Sequence, residues 1–357
     1  MATFGVLTGG GDCPGLNAVI RAVVRRGLAD NHSFIGFHGG WRGLREDDCQ
    51  PLDLANTAGL VTRGGTILGT SRTDPLASGA GGLDELRETI ARRGIQAVVV
   101  TGGDGTLGAA RDLCREGIPL VGIPKTIDND VSGTDFSVGF QTAVQIATDA
   151  IDRLHTTAES HNRVMIVEVM GRHAGWIATA AGLASGADMI LVPERPFAVD
   201  DVCEQLRARH RKSRNFSIVV VAEGARATDP DWQPLTESDQ HLAGDSLAGA
   251  TTSHPRSAAT ASGVGFKLCE QIEARTGFDT KVTVLGHVQR GGTPVAFDRI
   301  LATRFGVAAA EAMLSGRYGC MTALRDERIV EVDLAEALAQ PKALDPTLYE
   351  TAAVFFG

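Results

Sequence analysis

The chain has 357 residues, of which 43% are hydrophobic, 22% are charged and 43 are glycine. This composition is typical of a globular protein with a sizeable core, and the length suggests about two domains. A formal net charge of -9 at pH 7 argues against a nucleic-acid partner. A local basic pocket for a small phosphorylated ligand remains compatible with that charge.

Six cysteines are scattered along the chain without a CxxC pair, which favours reduced thiols in the cytoplasm over disulfides or a zinc site. The N-terminal residues show no basic stretch followed by an apolar one, and no apolar run is long enough to span a membrane. We therefore expect a cytoplasmic protein without a membrane partner.

Short apolar runs followed by glycine-rich turns recur from the start of the chain. "FGVLT" precedes "GGGDCPG", after which Leu16, Val19, Ile20, Val23 and Val24 follow the spacing of one buried helix face. "IQAVVVT" precedes "GGDGT", and "IPLVGIP" precedes "KTIDND" and a predicted helix over 140–154.

The same pattern continues in the second half of the chain. "RVMIVEVM" precedes "GRHAGWIATAAGLA", and "ADMILVP", "FSIVVVAEG" and "KVTVLGHVQRGG" indicate further strands. Apolar strands that alternate with helices predict an α/β fold with parallel sheets covered on both faces. Sites in such folds lie at the carboxyl ends of strands, where these glycine-rich turns occur.

Residues 226–263 interrupt the pattern, because they are rich in Ala, Ser, Thr, Asp, Gly and Pro and show little apolar periodicity. This composition favours a flexible surface insertion over a specific binding element.

Two glycine-rich turns are candidates for phosphate binding, although each could equally be a tight turn between a strand and a helix. In "GGDGT", Asp104 supplies a carboxylate that suits Mg²⁺ bridging nucleotide phosphates. The motif also occurs in kinases that act on NAD or lipids. Neither turn has P-loop spacing or the acidic partner of a dinucleotide fingerprint, so a nicotinamide-dependent dehydrogenase is a weak alternative.

"PKTIDND", residues 124–130, contains Asp128 and Asp130, which could provide a base for a substrate hydroxyl and a group that orients it. The competing interpretation is an Asx turn. Cationic side chains near strand ends could bind a sugar phosphate, although each alone is equally compatible with a surface charge or a packed histidine. They are Arg72, Arg163, Arg172, His287 and Arg290.

Seven motifs together resemble the bacterial type of 6-phosphofructokinase. They are "GGDCPGLNAVIR", "RGGTILGTSR", "GGDGT", "PKTIDND", "SHNRVMIVEVMGRHAGW", "VVVAEG" and "VTVLGHVQRGGTPVAFDR", in that order. The resemblance implies Mg²⁺-dependent phosphoryl transfer to the 1-hydroxyl of fructose 6-phosphate. A non-catalytic sensor would lack Asp104 or Asp128, and another GGDGT kinase leaves the later motifs unexplained.

The resemblance also implies roles for individual residues. Asp128 matches the catalytic base and a substrate contact, Arg172 a second catalytic residue, and Asp104 the magnesium ligand. The positions that match the donor site are Gly11, Arg72, Gly103, Asp104, Gly105, Thr106 and Lys125. The sugar-phosphate positions in the same subunit are Thr126, Met170, Gly171, Arg172, Glu223, His287 and Arg290, and those from a neighbouring subunit are Arg163 and Lys281.

The phosphoryl donor depends on two positions. Pyrophosphate-dependent members of the family carry an aspartate after the magnesium ligand, where this chain has Gly105, and a lysine before "TID", where it has Lys125. We expect ATP, because Gly105 leaves space for the nucleotide, whereas a lysine is compatible with either donor. Pyrophosphate remains the alternative. Lys281 replaces an arginine common in the family, which predicts weaker binding of the sugar phosphate.

We expect two Rossmann-like α/β domains with the active site in the cleft between them. Residues 1–139 and 290–325 form the predicted donor-binding domain, residues 140–289 the predicted fructose 6-phosphate domain, and residues 326–357 a surface extension. A pocket completed by a neighbouring subunit implies a homo-oligomer, usually a tetramer.

Overall fold

A computed structural model describes residues 1–77, 82–230, 232 and 263–356. The chain forms two compact units, Met1–Thr142 with Arg290–Lys342, and Ala143–Gln289 with Ala343–Gly357. The segment predicted as a separate surface extension, 326–357, is thus divided between the two units. Most of the predicted insertion, 226–263, lies outside the described residues.

The strands, in chain order, are β1 (Thr3–Thr8), β2 (Ser33–Phe37), β3 (Cys49–Leu52), β4 (Ile95–Gly102), β5 (Leu120–Pro124), β6 (Val164–Val169), β7 (Met189–Leu191), β8 (Ser217–Ala222), β9 (Thr280–Val284), β10 (Cys320–Arg325) and β11 (Arg328–Asp333). In the first unit a sheet has the order β11-β10-β5-β4-β1-β2-β3, and in the second unit a sheet has the order β7-β8-β6-β9.

The helices are α1 (Leu16–Leu28), α2 (Trp41–Glu46), α3 (Gly82–Arg93), α4 (Asp104–Arg115), α5 (Phe140–His161), α6 (Trp176–Ala184), α7 (Val199–Arg211), α8 (Val264–Thr276), α9 (Ala296–Leu314), α10 (Leu334–Ala337) and α11 (Pro346–Ala353). Short 3-10 helices occur at Leu60–Thr62 and Gly286–Arg290. In the part of the chain that the structure describes, no helix combines the length and the apolar character needed to cross a bilayer.

The sheet of the first unit is parallel in its interior and mixed at its edges. β1 pairs in parallel with β2 and β4, and β5 pairs in parallel with β4 and β10. β3 and β11 pair antiparallel to their neighbours. The predicted α/β class is confirmed, and the two antiparallel strands at the edges are an addition to the predicted parallel sheet.

Side chains alternate between the two faces of this sheet. Phe4 and Val6 of β1 pack in a core with α1 and α9, whereas Leu7 packs in a second core with α4. The five α1 residues that the spacing predicts to be buried are all buried. Both faces of the sheet are therefore covered by helices, so the ends of its strands are left for a site.

The sheet of the second unit is parallel throughout, with β6 between β8 and β9. Alternate apolar residues of its strands pack against α7 and α8. Helix α5 extends beyond the predicted 140–154, because Ala158 is still buried, and it ends before Asn162, which adopts the left-handed conformation with φ 54°. That conformation is typical of a residue just after a helix.

Candidate active site

The glycine turn after β1 is folded tightly against the strands and loops beside it. The Gly9 amide donates to the Thr101 carbonyl at 2.9 Å, and the Gly10 amide donates to the Ser71 carbonyl at 2.9 Å. Gly10 has φ 79°, and a Cβ atom at Gly9 would lie 2.7 Å from the Thr106 side chain. The turn therefore requires glycine for both its conformation and its packing.

The second glycine turn leads directly into α4. Gly103 precedes the helix, Asp104 lies in its first turn, and both Asp104 and Gly105 are exposed. A Cβ atom at Gly105 would have no neighbour within 4 Å. Free amides and the positive end of the helix dipole attract an anion here, and Asp104 adds a carboxylate that can share a cation with that anion.

Lys125 fastens the first glycine turn. Its side chain is buried, with 3% exposed, and Nζ donates to the carbonyl oxygens of Gly9, at 3.0 Å, and of Gly11. Burial lowers the pKa of Lys125. Burial also raises the pKa of the neighbouring Cys13 thiol to about 12, so Cys13 is a neutral thiol and not a nucleophile at neutral pH.

The loop after β5 carries Asp128 and is held by polar side chains within the loop. The Asn129 side chain accepts from the Ser137 amide at 3.0 Å and donates to the Asp135 carbonyl at 3.2 Å. The Thr126 hydroxyl accepts from the Asp128 amide at 3.1 Å, and Ser137 Oγ donates to the Thr126 carbonyl at 2.7 Å. Asn129 has φ 52°, a left-handed conformation that asparagine tolerates better than most residues. The half-buried Asp128 therefore lies on a well-defined loop.

The three loops surround a cavity of about 460 Å³ in the first unit. Of the residues predicted to bind the donor or the substrate, the structure brings together in its wall Gly11, Arg72, Gly103, Asp104, Gly105, Thr106, Lys125, Thr126 and Arg290. Asp128 does not line this cavity and lies two residues beyond Thr126. The donor-side residues named from the sequence thus share one cavity.

Arg290, predicted as a sugar-phosphate contact, lies in the wall of this cavity. Its Nη1 donates to the Asp12 carbonyl at 3.3 Å, and a Cβ atom at Gly11 would lie 2.6 Å from the same nitrogen. Gly11 therefore leaves room for the guanidinium group of Arg290. Together with Arg72, it gives the cavity two arginine side chains suited to binding phosphate.

The cavity wall also includes Trp41, Ser71, Thr73 and Asp74, which the sequence analysis did not name. Ser71 Oγ donates to the Gly39 carbonyl at 2.6 Å and to Thr73 Oγ1 at 3.0 Å. The turn sequence "SRTDP" was a local signal for three of these residues. No sequence pattern around Trp41 predicts its place in the cavity wall. Trp41 begins α2 soon after β2, and the pairing of β2 with β1 brings it near the glycine turn.

In the second unit, several predicted sugar-phosphate residues lie at the carboxyl ends of parallel strands. Met170, Gly171 and Arg172 follow β6, and Glu223 follows β8. Gly171 has φ 136°, and a Cβ atom there would lie 2.6 Å from the Ala174 carbonyl oxygen. His287, another residue of this predicted set, lies within the 3-10 helix that follows β9.

Arg163 and Lys281 lie at the opposite end of the same sheet. Arg163 precedes β6, and Lys281 is the second residue of β9. Both side chains form ion pairs with Asp279, the Lys281 Nζ at 2.5 Å. A six-residue strand spans roughly 17 to 20 Å, so these cations do not share one ligand site with Arg172 within the same chain.

Glu168, near the end of β6, is a buried carboxyl group with 5% exposed. Its Oε2 accepts a hydrogen bond from the Gly265 amide at 2.7 Å. Burial raises the pKa of Glu168 to about 7, and the charge of Glu223 acts in the same direction, whereas the Gly265 hydrogen bond opposes the increase.

A magnesium ion in the first unit would be held differently from a structural metal. Among residues 1–77, 82–230, 232 and 263–356, no three His, Cys, Asp or Glu side chains are grouped so that they could hold a metal ion. Asp104 is an exposed carboxylate in the cavity wall. This donor set suits Mg²⁺, which binds through one or two carboxylates together with phosphate oxygens and water.

The fold is that of a doubly wound α/β protein, and the glycine turns and arginines of this cavity suit a phosphate group. Residues 3–313 match the family model described as phosphofructokinase. The chain therefore belongs to the phosphofructokinase family of enzymes.

Two curated relatives span the whole chain. A Streptomyces coelicolor protein named pyrophosphate–fructose 6-phosphate 1-phosphotransferase is 55% identical over 355 residues, with 99% of each chain covered. A Mycobacterium leprae protein named ATP-dependent 6-phosphofructokinase is 49% identical over 358 residues, again with 99% of each covered. Among solved structures, Pichia pastoris phosphofructokinase in the T-state matches with a TM-score of 0.79 and 32% identity, over 99% of this chain and 36% of that chain.

Proposed function

We propose that the protein transfers the γ-phosphoryl group of ATP to the 1-hydroxyl of fructose 6-phosphate and forms fructose 1,6-bisphosphate, a step of glycolysis. Family membership and the names of the two relatives support fructose 6-phosphate as the acceptor. The observation that carries the choice of ATP is the open space beside Gly105 at the start of α4.

The donor side of this proposal rests on the first unit. The amino end of α4, Arg72 and the glycine turn after β1 contact one cavity, which suits a chain of phosphates. Asp104 would hold Mg²⁺, which neutralises charge on the phosphoryl group during transfer when it is bound. Because Gly105 has no side chain, neither bulk nor charge stands beside Asp104 where the nucleotide's α-phosphate would lie.

The contacts of Lys125 weaken the argument that its presence makes for pyrophosphate. Its Nζ donates to the carbonyl oxygens of Gly9 and Gly11, so this lysine serves to hold the glycine turn in place. A lysine used in this way does not by itself indicate pyrophosphate as the donor.

On the acceptor side, Asp128 is the proposed base. Its amide is bound by the Thr126 hydroxyl, which fixes the loop that carries the carboxylate. A carboxylate positioned in this way can accept the proton of the 1-hydroxyl as the oxygen attacks phosphorus. We assign Thr126 and Arg290 to binding of fructose 6-phosphate, and Asp130 to support of the base.

In the second unit we assign binding of the sugar phosphate to Met170, Gly171, Arg172, Glu223 and His287, with Arg172 also catalytic. We assign Arg163 and Lys281 to the 6-phosphate of a neighbouring subunit, which accounts for their place at the other end of the sheet. This requires a homo-oligomer, and we propose a cytoplasmic homotetramer. The first unit is then the donor-binding domain and the second unit the fructose 6-phosphate domain.

Pyrophosphate is the second candidate donor, because two observations favour it. The Streptomyces coelicolor relative bears a pyrophosphate-dependent name at 55% identity, and Lys125 occupies the position where pyrophosphate-dependent members carry lysine. With this donor the reaction would transfer one phosphoryl group of pyrophosphate to the same hydroxyl and release phosphate.

Initial rates with fructose 6-phosphate and either MgATP or Mg-pyrophosphate at matched concentrations decide between the donors. We expect faster turnover with ATP, and faster turnover with pyrophosphate would overturn that choice. Gly105→Asp should reduce kcat/KM for ATP by about 10- to 100-fold, because a carboxylate next to the phosphates is repulsive. Gly105→Ala is the matched control, since its methyl group meets no neighbour and ATP turnover should be nearly unchanged.

A further inference from the structure

Lys342, the last residue of the first unit, contacts the loop that carries the proposed base. Its backbone amide donates to the Asp130 carbonyl at 2.9 Å. Its side-chain Nζ donates to the carbonyl oxygens of Thr134 at 2.9 Å and Asp135 at 2.5 Å. One residue from the distant C-terminal part of the chain thus bridges both ends of the segment 130–135.

Strand β10 fastens the far end of the same loop. The Asp135 amide donates to the Leu324 carbonyl at 2.8 Å, and the Leu324 amide donates to Thr134 Oγ1 at 2.9 Å. Arg325 Nε donates to the Gly133 carbonyl at 3.0 Å. These contacts hold residues 133–135, whereas the Lys342 amide holds Asp130 at the other end of the segment.

Lys342 and Asp130 also interact electrostatically. Asp130 Oδ1 is buried and has no hydrogen-bond partner in the part of the chain that the structure describes. Burial lowers the pKa of Lys342 to about 8, and the carboxylates of Asp135 and Asp130 oppose that decrease. The Asp130 charge also acts on the buried Lys125. The carboxylate of Asp130 therefore acts on two ammonium groups, those of Lys342 and Lys125.

We propose that Lys342 is a positioning residue for phosphoryl transfer, which holds the loop from Asp128 to Asp135 in place and supplies a positive charge to Asp130. It acts through that loop and not on the substrate. The inference rests on the proposed function, since it assumes that Asp128 is the base. Small displacements of a reacting group have large kinetic effects, so the expected consequence is a change in kcat.

The test compares three variants of the full-length chain. Lys342→Met keeps the apolar stem but removes the ammonium group and its two hydrogen bonds. Lys342→Arg keeps a positive charge and donors. Arg325→Met is the matched control, because it removes a cation and one hydrogen bond to the same loop from an exposed side chain.

We expect Lys342→Met to lower kcat with fructose 6-phosphate by about 10- to 100-fold, with the KM values of both substrates changed by less than about threefold. Lys342→Arg should retain kcat within about fivefold, and Arg325→Met within about twofold. A kcat of Lys342→Met within twofold of wild type would overturn the proposal. An equal loss in Arg325→Met would also overturn it. Removing any contact that holds the loop would then lower kcat, and Lys342 would have no specific role.

Hydrogen exchange of the amides in residues 128–137 provides a readout that does not depend on activity. Faster exchange in Lys342→Met, but not in Arg325→Met, supports the positioning role, and unchanged exchange contradicts it. If the wild-type protein phosphorylates fructose 6-phosphate with neither ATP nor pyrophosphate, the proposed function fails. The exchange measurement still decides whether Lys342 holds the loop.

Discussion

The two units use the ends of their parallel sheets differently. In the first unit, the turns after β1, β4 and β5 all follow the carboxyl ends of adjacent strands, and their residues line one cavity. In the second unit, Met170 to Arg172 lie at the carboxyl end of β6, whereas Arg163 lies at its amino end with Lys281. The first set lines one cavity within the chain, whereas the second set lies at both ends of one sheet.

This difference has a topological cause. In a parallel sheet all strands have their carboxyl ends on the same side of the sheet, so turns from different parts of the chain meet there. Residues at opposite ends of one strand cannot meet, since the strand is rigid and roughly 17 to 20 Å long. A ligand that needs both sets from the second unit must therefore contact more than one copy of the chain.

The largest expected effect tests whether the first unit contains the reacting group. Asp128→Asn keeps the shape of the side chain but removes the proton acceptor, so kcat should fall by roughly 10²- to 10⁴-fold while binding of fructose 6-phosphate is largely kept. Steady-state kinetics and a binding titration measure the two quantities. Asp326→Asn, an exposed isosteric change in the same unit, should leave kcat near the wild-type value. A near-normal kcat in Asp128→Asn would remove Asp128 from its role.

The next effect concerns a buried carboxyl group of the second unit. The pKa of Glu168 is raised from 4.5 to about 7 in the folded protein. A raised pKa means that the folded state favours the protonated form, so this contribution to stability is present below pH 4.5 and is lost as the pH rises through 7. The total change corresponds to about 3 kcal/mol.

Glu168→Gln should remove this pH dependence, because the amide oxygen can still accept from the Gly265 amide but does not ionise. The free energy of unfolding, from urea titrations at several pH values, should fall between pH 4.5 and 7 in the wild type relative to the variant. Glu270→Gln on the exposed side of α8 is the control and should follow the wild-type curve. Parallel curves for the wild type and Glu168→Gln would show that Glu168 is not the titrating group.

Local patterns in the sequence were sufficient for much of the fold. The apolar runs predict β1, β4, β5, β6 and β8, and the spacing from Leu16 to Val24 predicts the buried face of α1. These elements depend on neighbouring residues in the chain. The antiparallel strands β3 and β11 at the edges were not distinguished, because pairing direction is decided by contacts that no short window contains.

In the candidate site, too, some features were predictable from local sequence and others depend on contacts between distant residues. The glycine turns and "TIDND" could be named from the sequence, because conformation and chemistry are both encoded within a few residues. The bonds from Lys125 to Gly9 and Gly11 join residues more than a hundred positions apart, and those from Lys342 to Thr134 and Asp135 more than two hundred. Such contacts follow from the order of strands in the sheet, which the sequence alone did not specify.

The smallest expected effect concerns the cations at the amino ends of the strands in the second unit. Arg163→Met removes a cation that, within its own chain, pairs with Asp279 at the end of the sheet away from Arg172. If Arg163 binds the 6-phosphate in a neighbouring copy, the KM for fructose 6-phosphate should rise about 10-fold, as expected for the loss of one charged hydrogen bond, with kcat and the donor KM little changed. Arg211→Met, an exposed arginine of the same unit, is the control.

Mixing subunits makes this last prediction specific to a shared site. Asp128→Asn carries an intact Arg163, and Arg163→Met carries an intact Asp128, so a hybrid oligomer contains sites in which both residues are native. The two variants are dissociated, mixed and reassembled, and activity is measured at a fructose 6-phosphate concentration well below the KM of Arg163→Met. The mixture should be more active than the sum of the two variants that are dissociated and reassembled separately. A rate equal to that sum would show that Arg163 does not serve a neighbouring copy, and its place at the far end of β6 would then mean that it does not bind substrate.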